Sequence, residues 1–161
     1  NGGKVSGSSK VVKYKGTYGK LPSPKRAGYT FAGWYTSRTG GSKVAANTKV
    51  TKKKNHTLYA RWKKTAVGNA EIGKLTNVSG KKLKVQIKSI KGAKKYQVYL
   101  AEDAKFSKGK KIVTFGKSTG TITKLKKGTT YYVKVRGYCN DSAGKRVYGK
   151  FSAVKKIEIK K

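Results

Sequence analysis

Acidic residues are almost absent from this chain. Its 161 residues hold five carboxylates (Glu71, Glu102, Asp103, Asp141 and Glu158), and none lies in residues 1–64. One histidine, His56, and one cysteine, Cys139, complete the usual catalytic and metal-ligating types. Acid–base catalysis needs two positioned titratable groups, and metal sites need three or four clustered ligands. The sequence therefore argues against an enzyme, a metal site or a cofactor site. A single cysteine excludes an internal disulfide, so burial alone must supply stability. No apolar run approaches 18 residues, which excludes a spanning helix. Methionine is missing even at position 1, so the sequence reads as an excised or processed piece of a longer chain.

What is present is positive charge. Lysine and arginine number 41, giving a net charge of +36. Residues 1–64 carry 16 basic and no acidic residues, hence +16; the remainder carries 25 basic against five acidic, hence +20. The charge belongs to the whole surface and not to a tail. Aromatics at 11% and ample Val, Ile and Leu set the chain apart from a disordered basic segment.

Composition shifts near residue 65. Residues 1–64 form a first module with short β-like runs punctuated by glycine, and the small, uncharged stretch 65–70 reads as a linker. Residues 71–161 form a second module that lacks proline. There Leu83, Val85 and Ile87 alternate with Lys82, Lys84, Gln86 and Lys88; Tyr96, Val98 and Leu100 repeat the pattern, as do Tyr131, Val133 and Val135. Period-two alternation with a polar outer face predicts antiparallel sheets, and turn signals at intervals of roughly 8–12 residues predict a sandwich.

The segment Leu125-Lys-Lys-Gly128-Thr129-Thr-Tyr131-Tyr-Val133-Lys-Val135 resembles fibronectin type III domains, with Lys127 where that family has proline. The resemblance implies an immunoglobulin-like sandwich in which Tyr131 forms the tyrosine corner. Ile87 stands where the family has tryptophan. Arg136-Gly137-Tyr138 is not the Arg-Gly-Asp integrin motif, so that activity is not implied. In the first module, Asn1-Gly2-Gly3, Tyr18-Gly19-Lys-Leu21-Pro22-Ser-Pro24, Gly28-Tyr29-Thr-Phe31-Ala-Gly33-Trp34-Tyr35 and Thr57-Leu58-Tyr59-Ala60-Arg61-Trp62 resemble the Listeria–Bacteroides repeat of bacterial surface proteins. That resemblance implies a small β-grasp-like sheet. Family members carry a strand before Asn-Gly-Gly. The module is thus expected to be truncated at its first strand, leaving a strand at about Lys10–Tyr14 on an exposed edge. The fold class is mainly β throughout.

Most distinctive residues have a plain structural explanation. Trp34, Tyr35, Tyr59 and Trp62 are expected to form the core of a small module more readily than a stacking platform. His56 is expected to be a solvated loop residue. Cys139 continues the inward parity of Tyr131 and Val135 and is expected to be a buried free thiol. The best candidate binding face lies on the outside of the second module. With Tyr96, Val98, Tyr131 and Val133 pointing inward, Tyr99, Tyr132, Lys134, Arg136 and Tyr138 point out. Tyrosines beside cations stack sugars or bases while the cations hold anionic groups.

The sequence thus points to non-catalytic adhesion or spacer modules of a secreted or cell-surface bacterial protein. The expected partners are anionic polysaccharide or teichoic acid, or a host surface glycan or protein. Lysine outnumbers arginine 36 to 5, which suits diffuse attraction better than base-edge recognition. A nonspecific nucleic-acid binder and a purely structural stalk are the alternatives.

Overall fold

A computed structural model describes residues 2–160; Asn1, part of the Asn-Gly-Gly pattern, lies outside the described residues. The chain divides into two compact units, one of residues 1–65 with 140–145, the other of residues 66–139 with 146–161. Eleven strands and no helix occur among the described residues. The architecture is mainly β, as the alternation predicts.

The first unit contains β1 (Tyr29–Tyr35), β2 (Lys43–Val44) and β3 (Tyr59–Lys64), an antiparallel sheet ordered β2-β1-β3. The register of β1 against β3 shifts between Phe31 and Gly33. Gly33 adopts a φ of 134°, a backbone conformation that residues with a side chain rarely adopt, so glycine is favoured at this bulge. Tyr18, Val44 and Val50 are the buried core, with Val12, Leu21, Trp34 and Leu58 packed against it.

No strand forms at Lys10–Tyr14. Val12 turns onto the core, but Val11 is 98% exposed. Lys10 Nζ donates to the carbonyls of Tyr18 and Lys20 at 2.7 and 2.9 Å. A turn with Lys15 at φ 65° then leads to the bridge between Thr17 and Lys49. Within the same unit, the Asp141 carboxylate accepts from the N–H groups of Gly28, Ala143 and Lys145 at 2.6, 2.8 and 2.9 Å. The Gly28 bond, foremost, holds its carboxyl below the usual carboxylate range, with burial opposing.

The second unit is a two-sheet sandwich. One sheet is β4 (Ile72–Val78), β5 (Lys82–Ile87) and β8 (Thr119–Ile122), ordered β4-β5-β8. The other holds β6 (Lys95–Ala101), β7 (Lys111–Phe115), β9 (Thr130–Asn140) and β10 (Arg146–Tyr148), ordered β10-β9-β6-β7, with β11 (Lys155–Glu158) also on β9. Between them lie Leu83, Val85 and Ile87 of the first sheet and Val98, Leu100, Tyr131, Val133 and Val135 of the second, all buried. Each fully buried aliphatic side chain stabilises by about 1.5–3 kcal/mol relative to exposure. The Tyr131 hydroxyl accepts from the Lys126 N–H at 3.1 Å, five residues upstream, which is the tyrosine corner.

Burial does not follow strand parity at three positions. Tyr138 has outward parity but is only 5% exposed, because the Tyr148 ring lies 5.5 Å from its own and Arg146 5.2 Å. Gln97 also has outward parity yet is buried at 8%, held beside Arg136. Cys139 is half-buried, not fully buried.

Candidate functional site

Pairing of β6 with β9 sets the geometry of the outer face. The register places Gln97 opposite Arg136 and Tyr99 opposite Lys134. Side chains on a strand alternate, so these four residues share one face. Arg136 Nε donates to Gln97 Oε1 at 2.9 Å, and its Nη2 donates to the Tyr99 hydroxyl at 3.1 Å. The guanidinium carbon lies 3.8 Å from the Tyr148 ring centroid and 4.7 Å from that of Phe151. Phe151 meets Tyr99 edge-on, with centroids 4.9 Å apart and planes at 84°. The Arg136 side chain is therefore held in one place by rings and two acceptors.

Lys134 extends the array. Its Nζ stands 3.9 Å from the Phe106 centroid and 5.0 Å from that of Phe151. Lys110 Nζ lies 5.5 Å from the Tyr99 ring. Phe106 comes from the loop between β6 and β7, where it has φ 59°. Asp103 shapes that loop: its carboxylate accepts from the Ser107 hydroxyl at 2.5 Å and from the N–H groups of Ser107 and Lys108 at 2.9 Å each. These bonds, the Ser107 hydroxyl first, hold the Asp103 carboxyl below its ordinary value.

Among the described residues, ion pairs join Glu71 to Lys88, Glu102 to Lys126 and Glu158 to Lys160. None involves Lys110, Lys134 or Arg136. The face thus offers cations without bound carboxylates, braced by aromatic rings. Of the residues expected there, Tyr99, Lys134 and Arg136 are together. Tyr132 stands opposite Ala101 on one side and Lys156 on the other, away from the ring array. Tyr138 meets the array through Tyr148. Phe106, Lys110, Tyr148 and Phe151 are additions. Tyr148, Phe151 and Phe106 all fall outside the alternating runs by which the sequence marks the sheet faces.

In the first unit, Trp34 packs on the buried cluster, its Nε1 donating to the Pro22 carbonyl at 2.9 Å. Trp62 packs edge-on against Phe31, with ring centroids 5.5 Å apart. Tyr35 lies under the Arg61 guanidinium at 4.0 Å, and Tyr59 lies 5.8 Å from Arg38. None of these four aromatics is fully buried, so they form a half-open wall around a small core. A cavity of about 170 Å³ opens beside Trp34, Tyr59 and Trp62.

His56 is not the solvated loop residue expected. It is half-buried, its Nε2 lies 2.5 Å from the Tyr18 hydroxyl, and the two rings meet edge-on at 83°. No group of three His, Cys, Asp or Glu among the described residues could hold a metal ion. No helix there is long and apolar enough to cross a membrane.

Strand order and tyrosine corner define the second unit as a fibronectin type III-like sandwich, preceded by a small antiparallel-sheet module. Residues 1–61 match the family model of the Listeria-Bacteroides repeat domain. The chain is also similar to the sixth fibronectin type III domain of human fibronectin type III domain containing protein 3, at 18% identity over 57% of this chain and 84% of that one, with a TM-score of 0.45. A Fn3-like protein from Clostridium thermocellum is similar at 18% identity over 55% of this chain and 86% of that one, with a TM-score of 0.38. Repeats of the Listeria-Bacteroides kind are non-catalytic modules typical of bacterial surface proteins.

Proposed function

We propose that this chain is a pair of non-catalytic adhesion and spacer modules of a secreted or cell-surface bacterial protein, with affinity for anionic polymers of the cell wall or of a host surface. The observation that carries this reading is uncompensated charge. Lysines and arginines number 41, yet only three ion pairs occur among the described residues. A polyanion gains from such a surface by releasing its condensed counterions. Teichoic acid and acidic polysaccharide fit lysine, a compact hydrated charge, better than ligands that need the arginine fork. The Arg136 face supports the same reading, because a cation held among rings is presented without a carboxylate partner.

The test is retention of the whole chain on immobilised teichoic acid, heparin and single-stranded DNA across a salt gradient. Retention on the two polysaccharide-type matrices that falls steadily with salt supports the proposal. Stronger retention on DNA at matched charge density would favour a nucleic-acid binder. No retention at low salt would leave a structural stalk.

A further inference from the structure

A cavity of about 220 Å³ opens in the first unit, lined by both core side chains and polar residues. Tyr18 and Val44 are buried beneath it at 7% and 4% exposure. His56 Nδ1 lies 3.1 Å from the Lys54 carbonyl, which can only accept, so Nδ1 carries a proton. In the neutral ring Nε2 is then an acceptor, and the Tyr18 hydroxyl donates to it at 2.5 Å. This pair fixes one end of the cavity.

The rim is built of cations and hydroxyls. Lys43, Lys49 and Lys52 are among the cavity's lining residues, as are Ser42, Thr51 and Thr57. Thr36 and Thr48, also in the lining, already accept the N–H groups of Ser42 and Ala45 at 3.0 and 2.8 Å, which leaves each O–H as a donor. The lining contains no carboxylate and no arginine. Residues 1–64 contain no acidic residue at all, and Asp141, the one acid in this unit, is engaged by Gly28, Ala143 and Lys145. The three lysines therefore have no carboxylate of their own unit to neutralise them.

From these features we infer that the cavity seats one oxyanion ester group, a phosphodiester or a sulfate, of the anionic polymer; the inference rests on the polyanion reading above. A tetrahedral oxyanion offers several acceptor oxygens in divergent directions, which lysine ammonium groups and rotating hydroxyls can meet. A planar carboxylate is met best by the arginine fork, which this lining lacks. The cavity is smaller than the roughly 300–1,000 Å³ of typical ligand pockets, so it takes a group and not a whole saccharide.

The experiment uses the whole chain with two probes at fixed ionic strength: a short polyglycerol phosphate and a sulfated heparin tetrasaccharide. Calorimetry gives the affinity, and the His56 ring resonances report the cavity. A Lys43→Gln, Lys49→Gln, Lys52→Gln variant is compared with a control of equal charge loss, Lys91→Gln, Lys117→Gln, Lys127→Gln. The expected result is a loss in the cavity variant about tenfold greater than in the control, with His56 resonances of the unaltered chain shifting on addition of probe. Whichever probe binds more tightly identifies the phosphate or the sulfate source. Equal losses in the two variants, or unmoved His56 resonances under saturating probe, would overturn the site while leaving diffuse polyanion affinity intact. Failure of the unaltered chain to bind either probe would overturn both readings.

Discussion

The Arg136 guanidinium lies flat enough against Tyr148 to bring its carbon within 3.8 Å of the ring centroid, while its Nη2 donates to the Tyr99 hydroxyl at 3.1 Å. Stacking and hydrogen bonding act on one side chain, so they should be lost together. Arg136→Ala is expected to destabilise the second unit by about 1–2 kcal/mol, from cation–π contacts and released hydrogen bonds. Arg136→Lys keeps the charge but loses the fork and should recover only part of this. Tyr132→Ala, outside the array, should leave polyanion affinity unchanged where Arg136→Ala lowers it. Urea unfolding and salt-gradient retention measure the two effects, and equal binding losses from Tyr132→Ala and Arg136→Ala would remove the face as a site.

Asp103 gives that face a pH dependence. Its carboxyl has a depressed pKa in the folded chain, from the Ser107 hydroxyl foremost and then the Lys108 N–H. A depressed folded value means that the unfolded loop binds the proton more readily. The ionised loop is therefore favoured above the ordinary carboxylate value of about 3.9, and the advantage is lost as pH falls through the folded value. Phe106, held by this loop against Lys134, should leave its position over the same interval. NMR titration of the Phe106 ring is expected to show this acid transition, and Asp103→Asn should abolish it. A transition unchanged in Asp103→Asn would assign it to another carboxylate.

Tyr131 provides a test confined to one hydrogen bond. Its ring stays in the core in Tyr131→Phe, and only the bond to the Lys126 N–H is removed. The expected cost is about 0.5–1.5 kcal/mol, read as a lower urea midpoint with an unchanged slope.

The second unit was legible because its physics is periodic. Strands that bury one face must alternate, so Leu83, Val85, Val98, Val133 and Val135 announce the sheets and their inner surfaces. The same parity brings Tyr99, Lys134 and Arg136 to one outer face. Parity does not say what covers that face. Tyr138 is buried by Tyr148 from neighbouring β10, and Phe106 enters from a left-handed loop position that no alternation marks. In the first unit the signal is weaker, because a β-branched pair such as Val11 and Val12 resembles a strand. Here one valine packs on the core and the other is left in solvent. His56 was missed because its partner, Tyr18, is distant in sequence and joined only through the fold.

The unequal cores lead to the last prediction. The second unit has fifteen buried residues in one apolar cluster, whereas the buried cluster of the first has three, Tyr18, Val44 and Val50. Small domains bury a smaller share of their surface, and a single cysteine allows no internal disulfide to compensate. The first unit should therefore unfold at the lower temperature, giving two calorimetric transitions. Val44→Ala should lower only the first, and Leu100→Ala, at about 2–5 kcal/mol, only the second. Residues 10–14, which lie in no strand, should show fast amide exchange, while Val98 and Val133 should exchange at the rate of global unfolding. A single transition moved by both substitutions would mean that the chain folds as one cooperative body.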